Sequence, residues 1–339
     1  MNREVYRVVK TGSLQGLKRM QEELPPPGED EVTIQTKAIG LNFADVFSIF
    51  GLYSATPKGS FIPGLEYAGV VIAKGKNVKE FKIGDSVYGT TRFGAYSTHL
   101  NVGKNYVFPL PKKWNFAQGA AFPVQALTAY YALIPLGNLQ KSQTVLIHSA
   151  AGGVGLLANR IAKKWNAFTI GLVGDDTKHS LLKEEGYDVC ITRSSSFQQE
   201  MKQILSGKRL DLVLECTGGR YFQDSYELLS PMGRLITYGS AVFTPGSSHR
   251  NWFQLAYHYL RRPKIDPLSM ISENKSVMGF NLIWLWNEID VLKKHFASLN
   301  ELHLAPQRIG EEFSFDDFNL ALEKFRSGKT IGKVVVTLS

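Results

Sequence analysis

The chain has 339 residues, more than one ordinary hydrophobic core accommodates, so two domains are expected. Apolar residues make up 44% and charged residues 20%, and no apolar run reaches the roughly 18 residues of a membrane-spanning helix. The net charge of +9 comes without a basic stripe or a recognisable nucleic-acid module, so it reads as a basic surface that suits an anionic cofactor, with no nucleic-acid partner expected.

Residues 1–122 read as short strands and turns. The opening Met1-Asn-Arg-Glu-Val-Tyr6 carries no apolar signal segment and starts a strand. Pro25-Pro-Pro-Gly28, Pro57-Lys-Gly59, Pro63-Gly64, Gly84-Asp85 and Pro109-Leu-Pro111 punctuate the rest of this stretch, as in an irregular β domain. From Phe116 to Leu136 the pattern turns helical. A first domain of residues 1–122 plus 305–339 and a second of 123–304 are expected, with a ligand buried in the cleft that such an insertion leaves. In the tail, Phe313–Phe325 reads as a helix and Lys333–Leu338 as a strand.

Thr144-Val-Leu-Ile-His-Ser-Ala-Ala-Gly-Gly-Val-Gly155 is an apolar strand, a glycine-rich turn and the start of a helix. Val154, Leu157, Ala158, Ile161, Ala162 and Trp165 recur at helical spacing, with Asn159, Arg160, Lys163 and Lys164 on the other side. The turn formed by Ala150, Gly152, Gly153, Val154 and Gly155 would offer backbone N–H groups and a positive dipole end to a pyrophosphate. Against G-x-G-x-x-G it has alanine in the first place. Strand-like runs come next at Phe168–Val173, Asp188–Thr192, Leu210–Cys216, Gly233–Gly239 and Ser276–Leu282, separated by helix-like segments. This alternation predicts an α/β fold with a doubly wound parallel sheet. Cys190 and Cys216, the only two cysteines, fall in apparent buried strands, so a reducing, cytoplasmic setting is expected.

Several further motifs stand in order along essentially the whole chain. They are Gly40-Leu-Asn42-Phe-Ala-Asp45, Gly51-Leu-Tyr53, Pro63-Gly-Leu-Glu66-Tyr-Ala-Gly69, Gly84-Asp85, Gly137-Asn-Leu139, Pro231-Met-Gly-Arg-Leu-Ile-Thr-Tyr-Gly239, Gly279-Phe280 and Gly332-Lys-Val-Val-Val336. With the glycine turn, they make the chain resemble the zinc-free quinone oxidoreductases of the medium-chain dehydrogenase/reductase superfamily, and among them the vesicle amine transport protein branch. The resemblance implies a Rossmann domain inserted in a GroES-like β domain. Zinc-dependent relatives place a Cys within the Gly40–Asp45 region and a His before the glutamate of the Gly64–Gly69 motif. Here the first region has no Cys and the second position is Leu65. Two cysteines cannot build a four-cysteine lobe, and the seven histidines show no close ligand spacing, so no metal is expected. His148, ending an apolar strand, reads as a core histidine.

The resemblance also implies a nicotinamide cofactor. An acid at the end of the second strand, roughly 20 residues past the glycines, would mark NAD; the resemblance puts Val173 there. Asp175 and Asp176 come just after it, readable as helix caps or as ribose ligands. Lys178 matches a lysine that contacts the 2′-phosphate in similar proteins, and Arg193 stands where they commonly carry tyrosine, so NADPH is expected over NADH. The implied cofactor-binding set also includes Asn42, Thr128, Thr217, Gly239, Phe280 and Lys333. Asn42 could hydrogen-bond the carboxamide or the acceptor carbonyl, Tyr53 could donate to a quinone or enone oxygen, and Asp45 could orient its neighbours. Phe47 falls where some quinone reductases carry a tyrosine.

The activity implied is a zinc-independent, NADPH-dependent reduction of quinones or α,β-unsaturated carbonyls by a homodimer, of the NADPH:quinone reductase type. No Ser/His/Asp or Cys/His arrangement suggests hydrolysis. The alternative is a weakly catalytic, nucleotide-binding adaptor at a membrane surface or on a partner protein. Residues 249–265, which mix aromatics with cations, keep that alternative open: they read as a lipid-touching interfacial helix, a lid, or core or dimer packing with a solvated edge.

Overall fold

Alternation of apolar and polar residues along the first 124 positions produces strands with one face inward. The computed structural model describes residues 1–245 and 249–338. It divides into two units, Met1–Val124 with Pro245–Asn251 and Ala305–Ser339, and Gln125–Thr244 with Trp252–Leu304.

In the first unit β1 (Asn2–Val8) and β2 (Leu17–Glu23) form an antiparallel ribbon. Arg3 and Arg7, four residues apart and so on one face, both grip Glu22 at 2.6 Å, which fixes the register. β3 (Glu31–Gly40) is the central strand of the larger sheet. It leads through α1 (Phe43–Ile49) to β4 (Glu66–Lys74), β5 (Ser86–Thr90), β6 (His99–Gly103) and β7 (Val107–Pro109). The helical stretch expected over Phe116–Leu136 is broken into α2 (Phe116–Ala120), α3 (Pro123–Tyr131) and a π turn at Ala132–Leu136. Pro123 suits a helix start, and Pro135, having no N–H, sits where the helical ladder widens.

The second unit is a six-stranded parallel sheet. Its strands are β8 (Thr144–His148), β9 (Phe168–Val173), β10 (Val189–Thr192), β11 (Leu212–Glu215), β12 (Arg234–Thr237) and β13 (Ser276–Gly279). The spatial order is β10-β9-β8-β11-β12-β13. The intervening helices are α4 (Gly153–Lys164), α5 (His179–Glu184), α6 (Phe197–Leu205), α7 (Gly219–Leu228), α8 (Trp252–Leu260) and α9 (Pro267–Glu273), with α10 (Ile289–Glu301) after the last strand. Every residue of β8 is buried, as expected of a strand covered on both faces. The order doubles back at β8, with the earlier strands on one side and the later ones on the other, so the carboxyl ends of β8 and β11 flank a topological switch point. The last strand stops at Gly279 rather than Leu282, because Asn281 caps a 3-10 turn that starts at Leu282. Cys216 lies just past β11 and is partly exposed, not inside a buried strand.

Asn159, expected on the polar face of its helix, is fully buried, and its amide donates to the Glu185 carbonyl at 2.7 Å. Trp165 forms the C-cap of α4.

The chain then returns to the first unit as β14 (Ile309–Ser314), α11 (Phe318–Arg326) and β15 (Lys333–Thr337). Phe313 belongs to β14 and not to the helix, because Ser314 and Asp317 form a hydrogen-bonded turn (2.7 Å) between the two elements. β15 pairs antiparallel with β3 and parallel with β14. Tyr6 and Tyr96 pack against Phe318 at ring separations of 4.6 and 4.3 Å, fastening α11 to the core of this unit. A short segment before α8 also belongs to it: Arg250 donates its N–H to the Gly12 carbonyl at 3.1 Å and His249 bridges Ser13. Backbone pairing with the 10–13 turn holds this segment there, which periodicity alone does not reveal.

Candidate functional site

The sheet of the second unit brings most of the expected nucleotide-contacting residues to its carboxyl edge. After β8 the chain turns through Ser149 in the left-handed region (φ 50°), and Ala150 donates its N–H to the Leu172 carbonyl at 3.1 Å. Gly152, extended, is the N-cap of α4, and the twelve-residue helix aims its first turn at this bend. A Cβ on Gly155 would lie 2.6 Å from Ala150 Cα, so only glycine lets the helix close on the turn. The alanine at position 150 is accommodated by the neighbouring strand: Gly171 has no side chain, and a Cβ there would come within 3.0 Å of the Ala150 methyl. The Tyr187 hydroxyl ties the bend from beneath, donating to the Gly155 carbonyl at 2.8 Å.

At the end of β9, Val173 is buried and Asp175 is the N-cap of a 3-10 turn, accepting the Thr177 N–H at 2.9 Å. Asp176 accepts a short hydrogen bond from the Thr192 hydroxyl. Both acids thus have local capping and tethering roles. Beyond them the structure brings Lys178 and Arg193 together. Burial, followed by the Arg193 charge, lowers the Lys178 ammonium from its usual range, against the opposing pull of Asp175. Gly174 makes room for the guanidinium, since a Cβ there would meet Arg193 Nη2 at 2.8 Å.

At the end of β11 stands Glu215, fully buried, a residue that pattern reading does not single out. One of its carboxylate oxygens accepts the N–H groups of Thr217 (2.6 Å) and Gly218 (2.5 Å), and the other accepts the Thr237 hydroxyl at 3.2 Å. It therefore shapes the loop that carries Thr217, whose buried hydroxyl finds no hydrogen-bond partner among the described residues. An acid closing an otherwise apolar Leu-Val-Leu run is the signal that could have revealed it. His148 is fully buried as expected, with Nε2 3.0 Å from Ser225 Oγ and Nδ1 3.5 Å from Glu215. Gly239 packs closely on Cys216. Phe280 stands edge-on to Tyr131 at 5.1 Å, and Thr128 is buried on α3.

The first unit holds a second polar cluster. Asn42 is the N-cap of α1, and the Asp45 carboxylate accepts its backbone N–H at 2.9 Å. Lys333, at the start of β15 and 2% exposed, donates to Glu66 at 2.5 Å and to Asn42 Oδ1 at 3.1 Å. Asn42 Nδ2 in turn donates to Glu66 at 3.0 Å and to the Gly40 carbonyl at 3.2 Å. Burial lowers the Lys333 ammonium, with Glu66 opposing. Asp45 is pushed up to about 7 by burial, although it accepts hydrogen bonds from the Asn42 N–H and, at 2.9 Å, from Tyr96. Tyr53 lies on the turn after α1, half-buried, its carbonyl accepting the Thr56 hydroxyl at 2.6 Å.

The aromatic and basic segment is not core. α8 buries none of its residues: Phe253 is 90% exposed, and Trp252, Tyr257, Tyr259 and Leu260 are also exposed. Arg262 stacks over Tyr259 at 3.8 Å and Arg261 over Tyr257 at 4.8 Å. Its amphipathic composition, with no acid between residues 249 and 265, leaves aromatic and cationic groups together at the surface.

An irregular β unit joined in sequence to a parallel sheet with a glycine turn at its switch point defines the medium-chain dehydrogenase/reductase class. The alcohol dehydrogenase GroES-like domain family matches residues 28–112 and the zinc-binding dehydrogenase family matches residues 153–282. More narrowly, the chain belongs to the family of the synaptic vesicle membrane protein VAT-1 homologs. The human member is 34% identical over 317 residues, covering 92% of this chain and 80% of its own length. The zebrafish member is 33% identical over 91% of this chain, which spans 64% of that protein's length. Among solved structures, human VAT-1 homolog-like protein superposes with a TM-score of 0.83 at 26% identity, over 99% of this chain and 98% of that one. A quinone oxidoreductase from Pseudomonas syringae gives 0.83 at 27%, over 99% of both chains. CurK enoyl reductase gives 0.83 at 25%, again over 99% of both.

Proposed function

We propose that this protein is a zinc-independent, NADPH-dependent reductase of quinones or α,β-unsaturated carbonyls. One observation carries the choice of nucleotide: Lys178 and Arg193 stand together past the second strand of the sheet, where Val173 replaces an acid. Two cations match a 2′-phosphate, whereas a ribose diol would call for a carboxylate. The diphosphate would lie against Ala150–Gly155, where Gly155 lets the first turn of α4 close on the Ala150 backbone. The unpartnered Thr217 hydroxyl suits a ligand that brings its own polar groups.

When bound, NADPH supplies hydride from C4 of its nicotinamide. The protein's part is orientation and charge stabilisation. By the family resemblance, Thr128, Gly239 and Phe280 would hold the nicotinamide, and Asn42 could hydrogen-bond the carboxamide or the acceptor carbonyl. Lys333 acts here through Asn42 and Glu66. Tyr53 can donate a hydrogen bond to the acceptor oxygen as negative charge develops there, and water can deliver the proton. Zinc independence is supported by Leu65 and by the lack of a cysteine between residues 40 and 45. The names of the quinone oxidoreductase and enoyl reductase among the solved structures support the acceptor class. We further propose a homodimer in a reducing, cytoplasmic compartment, consistent with two free cysteines.

Titration with NADPH and with NADH, followed by tryptophan-to-nicotinamide energy transfer, tests the reading. NADPH is expected to bind at least tenfold tighter, and Lys178→Ala and Arg193→Ala to remove that preference. Equal affinities unchanged by either substitution would refute it. The exposed aromatic face of α8 favours one second reading, a weakly catalytic nucleotide-binding adaptor at a membrane surface or on a partner. Co-sedimentation with lipid vesicles, with no NADPH oxidation across a broad quinone panel, would support that instead.

A further inference from the structure

Past the end of β1 the backbone of the first unit makes one more pair and then divides. Val8 and Phe61 each donate an N–H to the other's carbonyl, at 2.8 and 3.2 Å, but the next N–H, that of Val9, turns away to the Gly16 carbonyl at 2.9 Å. Beyond this bridge the two segments part, and Gly51 (φ 65°) and Gly59 (φ 80°) curve the second of them through left-handed turns. Between them lies a cavity of about 490 Å³, built wholly from the first unit. That is the size of a site for an organic ligand, not for a bare ion. Lys10 lines it from one segment and Lys58 from the other, with the hydroxyl residues Thr11 and Ser60, and none of its lining residues is acidic. Both lysines are exposed, and neither forms an ion pair among the described residues. The neighbouring chain offers no counter-charge either, since residues 5–21, 46–65 and 249–265 contain no Asp or Glu. Arg3, Arg7 and Arg19 on the nearby ribbon are, by contrast, each paired with a carboxylate. Arg250 adds a third cation, packed so closely that a Cβ on Gly12 would meet its Nη2 at 3.1 Å and one on Gly51 its Nη1 at 3.3 Å. Cations gathered without a counter-ion raise the local potential, and an anion that enters lowers it.

We infer that this cavity binds a phosphorylated organic molecule, with the phosphate held by Lys10 and Lys58. A phosphate monoester carries about 1.5–2 negative charges at pH 7, which matches two unpaired ammonium groups, whereas a carboxylate carries one. The Thr11 and Ser60 hydroxyls supply further donors, and Val9 and Pro57 give the organic part an apolar wall. None of the residues assigned to the nucleotide lines the cavity, so its ligand is a second one that binds alongside NADPH.

Calorimetric titration of the full chain with phenyl phosphate tests the site, in saturating NADPH so that the nucleotide turn is already filled. Binding is expected to persist there and to weaken as sodium chloride is raised. Lys10→Gln with Lys58→Gln, two exposed positions whose exchange leaves the fold intact, is expected to weaken phenyl phosphate about tenfold while NADPH affinity stays within twofold. Benzoate, with a single charge, and neutral benzyl alcohol are expected to bind more weakly than phenyl phosphate. No binding to the wild-type chain, displacement by NADPH, or an affinity that the double variant leaves unchanged would overturn the proposal. Benzoate bound as tightly as phenyl phosphate would overturn the assignment to phosphate. If the chain takes up no NADPH, the nucleotide reading fails, and comparison of the wild type with the double variant in its absence still decides this site.

Discussion

Lys333 carries the sharpest consequence at the scale of single residues. Replacing it with Met leaves Glu66 buried without its cation, and loss of one partner from a buried pair costs about 3–5 kcal/mol. A chemical denaturation midpoint should report the loss, and adding Glu66→Leu should restore most of it, because the isolated charge is then gone. Asp45 predicts a pH dependence. Its carboxyl is raised from 3.8 to about 7 by burial, so the folded chain holds a proton that the unfolded chain releases. Its contribution to stability is complete below pH 3.8 and is lost as the pH climbs to about 7. Asp45→Asn, which can still accept from the Asn42 N–H and Tyr96, should flatten the fall in urea midpoint over that window. Lys333 and Glu66 are also the residues hardest to interpret from sequence. Each belongs to a visible motif, but their union joins positions 66 and 333, and it takes β3, paired with β15 on one side and β4 on the other, to bring the two motifs together.

Single elements separate what sequence reveals from what it hides. The strand, turn and helix at 144–165 are legible because apolar spacing, glycines and a basic last turn agree with one another. Gly155→Ala should lower the melting temperature and weaken NADPH binding at least tenfold, since its methyl would sit 2.6 Å from the Ala150 backbone. Asn159 is misread for a physical reason: its buried NH2 donates to the Glu185 carbonyl, a partner contributed by the C-cap of the next helix that periodicity cannot supply. α8 gives the opposite error, since its apolar content suggests packing that the chain itself does not provide. Because Phe253 is 90% exposed, Phe253→Ser should change stability by no more than about 0.5 kcal/mol in a thermal melt. Leu146→Ala in the centre of β8 should cost about 2–5 kcal/mol.

Across the whole molecule, strand order decides what distant residues can do. Cys190 lies on β10 and Cys216 comes directly after β11, with β9 and β8 between those strands. Three inter-strand steps amount to roughly 14 Å, well beyond the ~7 Å limit for bridging two Cα atoms. Reducing agent should therefore leave the melting temperature of the monomeric chain unchanged; a shift would show that the sheet order is wrong. The alternation of strands and helices makes a doubly wound sheet readable, yet its order needs the direction taken at each crossover, which no single segment encodes. That order also bears on how the chain matures. Because β8 occupies the middle, its second edge stays bare until β11 has been synthesised, so Val145-Leu-Ile147 faces the surroundings unprotected for that interval. A nascent chain is most prone to aggregation in that window, and the segment that later leads into the glycine turn is then the one a chaperone has most reason to shield.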